Sequence, residues 1–415
     1  MMKFSHLADC HIGSYRDERM SALTIEAFRK AVETSIKEKV DFMLISGDLF
    51  NTSIPSIDSI KNTVSLLRKL YMENIPVYII AGSHDFSPSG KTMLDVLENA
   101  GLCSNIAKGN MDSSGKLQLS FTEDQNTGAK ITGIVGRRGS LEKSYYESLD
   151  NSSIEEATGF KIFMFHSAIT ELKPKGMEKI ESSPISYLPK NFNYYAGGHV
   201  HSVIKHSSEE LGGVVAYPGP LFPNSFKEIE DLEHGGFYIF DSEDPELLRF
   251  VPVKVKDILK ISIDSTNRSP EETMSILQER VEKEDLTDKI ILIRIAGRLS
   301  SGKVSDVKLG DTINMMYGRG AFFIMRNTAS LTSESFEEMR PNSESLANIE
   351  EEIIEKNTGQ MRFSKIGMND EKTTVRNLVE MLDIEKQEGE TNKDFEERII
   401  ENAAFLDKLS DKSEE

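Results

Sequence analysis

Five of the eight histidines lie at or just after the ends of predicted strands, and aspartates and glycines lie at several of the same strand ends. The segments are Asp9-Cys10-His11, Gly47-Asp48, Gly82-Ser83-His84-Asp85, His166 and Gly198-His199-Val200-His201. Carboxylate and imidazole donors without thiolates suit Mn²⁺, Fe²⁺ or Zn²⁺. Because one four-coordinate ion needs fewer donors than these, the set indicates two ions that share a carboxylate.

The spacing within the segments supports a common site. In Asp9-x-His11 and in His199-x-His201 both donors lie on one side of an extended segment, because strand side chains alternate. Glycine before Asp48, Ser83 and His199 lets the backbone turn sharply. A lone Gly-Asp pair or a lone histidine at a strand end is usually structural, so the prediction depends on the ordered set.

Three neighbouring residues have simpler interpretations. Cys10 is predicted to be a small buried residue, and His6, inside the first strand, a hydrogen-bonded core histidine. Asp85 is predicted either to orient His84 or to cap the helix that follows.

The first hundred residues alternate strands and helices, which must position these donors. Strands are predicted at 3–8, 41–46 and 76–81, with helices at 21–38, 56–71 and 91–100, the first capped by Ser21. Fully apolar strands between amphipathic helices indicate an α/β layer whose sheet is covered. Loops beyond the carboxyl ends of such strands converge, so the donor segments are expected to meet in one crevice.

Later segments predict a second sheet and a separate small domain. Strands at 130–135, 161–165, 194–196, 214–217 and 236–240 are assigned to a second, mixed sheet. A β-α-β-β pattern follows, with strands at 258–264, 289–296 and 321–326. Its helix is signalled by Ser269, Pro270 and Glu272, a strong helix-start pattern.

Composition narrows the class of protein. The chain has 415 residues, two cysteines and a net charge of −19, of which −13 falls in residues 332–357 and 383–415. So few cysteines exclude a disulfide scaffold and a cysteine-based zinc module. The acidity argues against bulk electrostatic wrapping of nucleic acid, although metal ions at a local site supply positive charge. With no signal-peptide core and no apolar run near 20 residues, a cytoplasmic protein is expected.

The ordered donor set resembles that of the calcineurin-like binuclear metallophosphoesterases. The phrases SHLADCHIGS, LISGDLFN, IAGSHDFSPSG, AGGHVHS and YPGPLFPNSFKEIE are similar to one branch, the meiotic-recombination-eleven/SbcD-type DNA double-strand-break repair nucleases. The likeness covers nearly the whole chain. It implies an α/β (α+β) fold, a four-layer sandwich of two mixed β-sheets flanked by helices, with a small α/β capping domain and C-terminal helices.

The resemblance also implies a division of the chain into four parts. These are a metallophosphoesterase (nuclease) domain at 1–253, a DNA-capping domain at 254–330, an acidic linker at 331–372 and a helical region at 373–415 that binds an ATPase partner.

The resemblance assigns the donors to two ions bridged by Asp48. One ion takes Asp9, His11, Asp48 and His201, and the other takes Asp48, Ser83, His166 and His199. His84 matches the histidine that assists the leaving oxygen at the scissile phosphate. The implied cofactor is two Mn²⁺ per chain, with Mg²⁺, Fe²⁺ or Zn²⁺ as alternatives.

Two positions depart from the family pattern. Ser83 stands where the phosphoesterases have asparagine, and its hydroxyl is a shorter and poorer donor than an amide carbonyl. We therefore expect a weakened second metal site that a water completes. Asn51 stands where the family often has a histidine, which lowers the exonuclease activity expected.

Further residues are candidates for contacts with DNA or a partner. Arg16, Arg137, Arg138 and Lys227 are candidates for DNA phosphates, with a solvated surface charge as the alternative for each. The resemblance implies docking of the C-terminal helices onto the coiled coil of a Rad-type/SbcC-type ABC ATPase, and a homodimer. Phe395, Ile399 and Leu406 have the spacing of a partner-binding helix, unless that helix packs on its own domain.

The leading hypothesis is a Mn²⁺-dependent DNA nuclease with 3′–5′ exonuclease and single-strand endonuclease activity. The second hypothesis is a small-molecule or cyclic-nucleotide phosphodiesterase. The capping domain and the C-terminal tail argue against it, since a small substrate needs neither. A catalytically weak scaffold for the ATPase is the third, favoured by Ser83 and Asn51 but opposed by the retention of His84 and of every other donor type.

Overall fold

The computed structural model describes residues 2–86, 92–137, 141–174, 180–244 and 248–333, with single helical residues at 373, 376, 377, 395 and 398. The chain divides into two compact units, Met1–Leu331 and Thr332–Glu415. Three predicted site residues lie outside the described residues, namely Arg138, Ile399 and Leu406. The domain boundaries predicted from the sequence stay predictions. No helix among the described residues has the length and apolar character to cross a membrane.

The strands, in chain order, are β1 (Lys3–Leu7), β2 (Phe42–Ser46), β3 (Val77–Ile80), β4 (Ser104–Asn105), β5 (Gly109–Met111), β6 (Leu117–Leu119), β7 (Thr122–Glu123), β8 (Lys130–Gly133), β9 (Lys161–His166), β10 (Tyr194–Gly198), β11 (Ile204–Ser208), β12 (Gly213–Tyr217), β13 (Gly235–Asp241), β14 (Leu248–Val253), β15 (Ile258–Asp264), β16 (Ile290–Leu299), β17 (Phe323–Asn327) and β18 (Leu331–Ser333). The helices are α1 (Glu18–Lys37), α2 (Ile57–Met72), α3 (Met93–Asn99), α4 (Lys143–Glu147), α5 (Ser152–Glu156), α6 (Phe226–Leu232), α7 (Pro270–Glu282) and α8 (Gly310–Gly318).

Two six-stranded mixed sheets form the main body. The first has the order β14-β13-β1-β2-β3-β4, with β1 to β4 parallel and β13 and β14 antiparallel. The second has the order β11-β12-β10-β9-β8-β7, with parallel pairing from β12 to β8. The prediction that residues 236–240 belong to the second sheet was wrong, because β13 pairs with β1 in the first. An apolar run shows that a strand is buried but not which sheet it joins.

An aromatic core fills the space between the two sheets. Phe4 stacks on Phe42 and Phe240 with ring centroids 5.0 and 4.7 Å apart, and Tyr194 of the other sheet meets Phe4 edge-on at 5.1 Å. Because strand side chains alternate, the residues between them face outward, where α1 to α3 cover the first sheet and α4 and α5 the second. The layers are therefore helix, sheet, sheet and helix, which confirms the predicted four-layer sandwich.

The start of α1 lies one turn before the predicted position. The cap is Asp17, whose carboxylate accepts hydrogen bonds from the backbone N–H groups of Arg19 and Met20. Aspartate and serine are both good capping residues, so Ser21 was an equally plausible start. The fully buried Met20 extends the apolar face of the helix by the additional turn.

The small domain is a parallel sheet of β15, β16 and β17 with its own apolar core. Its helix α7 begins as predicted, with Ser269 as cap and a reciprocal hydrogen bond from the Ser269 N–H to Glu272 at 2.8 Å. The predicted β-α-β-β order was wrong, because α8 lies between β16 and β17. This helix has Leu309 at its N-cap and no side-chain cap hydrogen bond, so the sequence carried no start signal for it.

Candidate metal centre

The predicted donors lie where parallel strands of both sheets end. β1, β2 and β3 are parallel neighbours in the first sheet, as are β9 and β10 in the second. The carboxyl ends of parallel strands share one edge, so the loops beyond them converge. Asp9 and His11 follow β1, Asp48 follows β2, Ser83 and His84 follow β3, His166 ends β9, and His199 and His201 follow β10.

Four donor residues hold the backbone in the left-handed region. The φ angle is 49° at Asp9, 42° at His11, 50° at Asp48 and 83° at His199. Non-glycine residues adopt this conformation rarely, and it persists where the surroundings enforce it. Here the loops after β1 and β2 hold each other, since the N–H of His11 donates to the Asp48 carbonyl oxygen at 2.9 Å.

Two glycines allow the strand ends to approach closely. A Cβ atom on Gly82 would lie 2.2 Å from Asp48 Oδ1, and one on Gly198 would lie 2.0 Å from the Ser46 carbonyl oxygen. Neither distance admits a side chain. Glycine at these positions is therefore a condition for the packing of the loops around Asp48 and His166.

The first group of facing ligand atoms comes from Asp9, His11 and His201, whose atoms lie within 4.8 Å of one another. The two Nε2 atoms of His11 and His201 are 3.2 Å apart, and His201 Nε2 is 3.7 Å from Asp9 Oδ1. Two imidazoles and a carboxylate at these distances are suited to hold one cation.

The second group consists of Asp9, Asp48 and His166, all buried. His166 Nε2 lies 3.2 Å from Asp48 Oδ2 and 4.0 Å from Asp9 Oδ1. Asp48 Oδ2 is also 3.8 Å from His11 Nε2, so this carboxylate lies between imidazoles of the two groups. That position allows one carboxylate to serve two cations.

The remaining predicted ligands lie at the edge of these groups. Ser83 donates from its hydroxyl to Asp48 Oδ2 at 3.4 Å. The ring of His199 packs against that of His166 with centroids 5.2 Å apart, and its backbone N–H donates to both carboxylate oxygens of Asp9 at 3.0 Å.

His84 stands on the more exposed side of the group. Its backbone N–H donates to Asp48 Oδ1 at 2.7 Å, and its ring lies 4.8 Å from that of His11. Nδ1 donates to the carbonyl oxygen of Asn51 at 2.7 Å, because a carbonyl only accepts. The loop after β2 therefore fixes the orientation of this imidazole.

Asp85 has neither of the two predicted roles. Its carboxylate accepts hydrogen bonds from the backbone N–H groups of Leu49, Phe50 and Gly82 at 3.0–3.2 Å, which ties together the loops after β2 and β3. Burial, with the nearby charge of Asp48, raises the pKa of Asp85 to about 7. The helix beyond it is capped by Thr92.

The simpler predictions for two other residues are confirmed. Cys10 is completely buried. His6 is also buried, and its ring nitrogens form hydrogen bonds with the Tyr194 hydroxyl at 2.9 Å and the Ser46 hydroxyl at 3.0 Å.

The electrostatics of the centre favour a cation. Burial lowers the pKa of His11 to about 3 and that of His199 to about 4, which keeps both imidazoles neutral. Burial would also lower the pKa of His166, but the charges of Asp48 and Asp9 outweigh it and raise this pKa to about 10. The carboxylates therefore stabilise positive charge beside His166 Nε2, whether a proton or a metal ion carries it.

The residues present fit a divalent metal centre. His166 Nδ1 donates to the Ser46 carbonyl oxygen at 2.8 Å, which leaves Nε2 facing Asp48. Among the described residues, this buried Nε2 atom faces the Asp48 carboxylate at 3.2 Å and makes no other hydrogen bond. A metal ligand held by a backbone carbonyl through its other nitrogen is the usual arrangement for histidine.

One contact that the sequence analysis missed is made by Glu228. Its Oε1 atom accepts a hydrogen bond from His201 Nδ1 at 3.1 Å. The pattern Ser225-x-x-Glu228 is a helix-start signal, and Ser225 does cap α6. That signal predicts a bond from Glu228 back to the cap, whereas the carboxylate is used at the metal centre.

The cations predicted to contact DNA differ in their surroundings. Arg16 is exposed, and Lys227 is 78% exposed and pairs with Asp231 at 2.6 Å. Arg137 lies over the rings of Phe86 and Tyr145, at 4.9 and 5.6 Å from their centroids. Gly136 before it packs against His166, which places Arg137 one residue from a contact with the centre.

Residues 2–203 match the family model for calcineurin-like phosphoesterases. This part of the chain is therefore a calcineurin-like metallophosphoesterase domain, and the protein is a metal-dependent hydrolase of phosphate esters.

The chain is also similar to curated archaeal proteins named DNA double-strand break repair protein Mre11. The protein of Methanococcus maripaludis is 28% identical over 298 residues, which is 68% of this chain and 76% of that one. The Archaeoglobus fulgidus protein is 26% identical over 63% of this chain and 62% of its own length, and that of Sulfolobus acidocaldarius is 28% identical over 68% and 72%. These similarities confirm the resemblance seen in the sequence motifs.

A solved dimetal phosphatase from Danio rerio aligns with 57% of this chain and 91% of its own, at 10% identity and a TM-score of 0.39. A similarity of this size adds nothing to the assignment.

Proposed function

We propose that this chain is a Mn²⁺-dependent DNA nuclease of double-strand-break repair, which hydrolyses phosphodiester bonds by 3′–5′ exonuclease and single-strand endonuclease activity. The observation that carries the proposal is the position of Asp48, whose buried carboxylate lies 3.8 Å from His11 and 3.2 Å from His166. The similarity to DNA double-strand break repair proteins supports DNA as the substrate.

In this proposal the ligands divide into two sets that share Asp48. Asp9, His11 and His201 hold one ion, and Ser83, His166 and His199 hold the other. The bound ions supply a polarised water and neutralise charge on the phosphate. Because phosphoryl transfer depends mainly on positioning and charge neutralisation, a rigid donor set is the main contribution of the protein.

His84 assists departure of the leaving oxygen. Its Nδ1 bond to Asn51 fixes the ring, while the partial exposure of the ring leaves it accessible to a substrate at the centre. A histidine so placed donates a proton to the leaving oxygen as the P–O bond breaks.

The same proposal includes the macromolecular contacts. Arg16, Arg137, Arg138 and Lys227 contact DNA phosphates, and residues 373–415, with Phe395, Ile399 and Leu406, bind a coiled-coil ABC ATPase. Arg137 has the best support of these because Gly136, the residue before it, packs against His166. We further propose that the chain acts as a homodimer on DNA in the cytoplasm.

The test is Mn²⁺-dependent digestion of end-labelled single- and double-stranded DNA, with bis-p-nitrophenyl phosphate in parallel. The wild type is compared with His84→Ser and with the matched control His206→Ser on β11. We expect the wild type and the control to cut DNA, and His84→Ser to lose cleavage by about 10²-fold or more with metal still bound.

Two other results support different functions. Hydrolysis of the small ester without DNA cleavage indicates a small-substrate phosphodiesterase. No hydrolysis of either substrate, with one ion bound per chain, indicates the scaffold function and a second site lost at Ser83.

A further inference from the structure

Helix α6 connects the metal centre with the small domain. Two acids on this short helix contact different parts of the molecule. Glu228 bonds His201 after β10, and Glu230 bonds Arg294 on β16. The helix therefore lies between a candidate metal ligand and the domain that follows the phosphoesterase sandwich.

Glu228 is placed to orient His201. His201 Nδ1 donates to Glu228 Oε1 at 3.1 Å, and its Nε2 atom faces His11 and Asp9. The second oxygen of Glu228 accepts the backbone N–H of Asn224 at 2.7 Å. With both oxygens engaged, the carboxylate fixes the proton of His201 on Nδ1 and leaves Nε2 free to bind a cation.

Arg294 holds the same helix from the small domain. Its Nε and Nη2 atoms donate to the two oxygens of Glu230 at 2.6 and 2.5 Å, and its guanidinium lies 5.1 Å from the centroid of the Phe226 ring. The side chains of this pair are only 29% and 24% exposed. A partly buried ion pair with two hydrogen bonds constrains both the separation and the relative orientation of the Arg294 and Glu230 side chains.

We propose that Glu228 is a positioning residue for His201, and that the Arg294–Glu230 pair makes metal affinity at His201 depend on attachment of the small domain. This inference rests on the proposed metal centre. It predicts that substitution of Arg294 on β16, whose contacts are with Glu230 and Phe226 and not with a proposed ligand, changes the affinity for Mn²⁺.

The test is a calorimetric Mn²⁺ titration of the full chain, which reads metal affinity and stoichiometry independently of hydrolysis. We expect Glu228→Gln to weaken one site about tenfold or more, while Glu228→Asp retains part of the affinity because it keeps the charge. Arg294→Met, which keeps an unbranched side chain but removes the guanidinium that contacts Glu230 and the Phe226 ring, weakens the same site by a smaller factor. The double variant Glu230→Arg/Arg294→Glu, which reverses the two charges of the ion pair, restores the Mn²⁺ affinity toward that of the wild type.

Asp231→Asn is the matched control, since Asp231 belongs to the same helix but pairs with the exposed Lys227. Circular dichroism in EDTA checks that each variant is folded. Wild-type affinity in Glu228→Gln overturns the positioning role, and wild-type affinity in Arg294→Met overturns the dependence on the small domain. If the wild type binds no Mn²⁺, the metal centre itself is wrong, and this inference is wrong with it.

Discussion

At the scale of single residues, the Asp48 carboxylate lies between donor groups from several loops of the centre. Its carboxylate meets His166, His11, the Ser83 hydroxyl and the backbone N–H of His84. Burial opposes its ionisation, but the neighbouring imidazoles outweigh burial and lower the pKa of Asp48. The Asp48 carboxylate is therefore ionised and lies between the sites of the two proposed metal ions.

Replacing this anion tests the bridge directly. We expect Asp48→Asn to bind fewer Mn²⁺ ions per chain and to lose at least about a hundredfold in hydrolysis, since even an outer-shell partner is worth 10–100-fold. Calorimetry and the DNA digestion assay measure the two effects. Asp112→Asn, at a fully exposed carboxylate, is the control. Unchanged stoichiometry in Asp48→Asn is incompatible with a shared carboxylate.

Substitution of Ser83 is expected to raise the affinity for Mn²⁺, whereas substitution of Asp48 lowers it. An asparagine carbonyl reaches further than the serine hydroxyl, which lies 3.4 Å from Asp48 Oδ2. We expect Ser83→Asn to strengthen the weaker Mn²⁺ site about tenfold, seen as a second, tighter phase in the titration. Equal affinity in both proteins shows that residue 83 does not face an ion.

His166 is expected to contribute to the pH dependence of metal binding. Its pKa of about 10 means that the metal-free imidazole carries a proton at pH 8, and a metal ligand must lose that proton. Mn²⁺ binding at pH 8 is therefore expected to release about one proton from His166, and the affinity is expected to rise with pH toward 10. Titrations in buffers of different ionisation enthalpy count the released protons. An affinity independent of pH between 7 and 9 contradicts this assignment.

At the scale of elements, the ends of the strands determine where the donors lie. Gly198 shows how closely two of these strand ends approach each other. A Cβ on Gly198 would displace the Ser46 carbonyl, the group that holds His166 Nδ1. We expect Gly198→Ala to weaken metal binding and to cost about 1–3 kcal/mol of unfolding free energy. Urea denaturation in EDTA measures the loss. Gly318→Ala, where a Cβ meets nothing, should leave metal binding unchanged.

Strand positions were predictable from the sequence, whereas the pairing and docking of elements were not. Apolar runs located the parallel strands, and each donor was predicted at its correct strand end because that register is local. Membership of β13 in the first sheet was missed, because pairing with β1 is a long-range choice. Glu228 was missed for the same reason, since a short helix must first dock beside β10 before its carboxylate meets His201.

At the scale of the whole molecule, metal binding and folding are coupled. The Asp9–His11–His201 and Asp9–Asp48–His166 groups each combine donors from both sheets, so an unfolded chain offers no preformed site. We expect free Mn²⁺ at 100 times its dissociation constant to raise the unfolding free energy by about 2.7 kcal/mol per independent site. Denaturation with Mn²⁺ or EDTA checks this, and Asp48→Asn should show a smaller gain.

This distribution of donors along the chain also has a practical consequence. Asp9, His11 and Asp48 precede α4, whereas His166, His199 and His201 follow α5. A chain cut between α4 and β9 would leave each fragment with only part of both Asp9-containing groups. The protein is thus suited to fragment complementation, in which recovery of Mn²⁺ binding reports that the two pieces have reassembled.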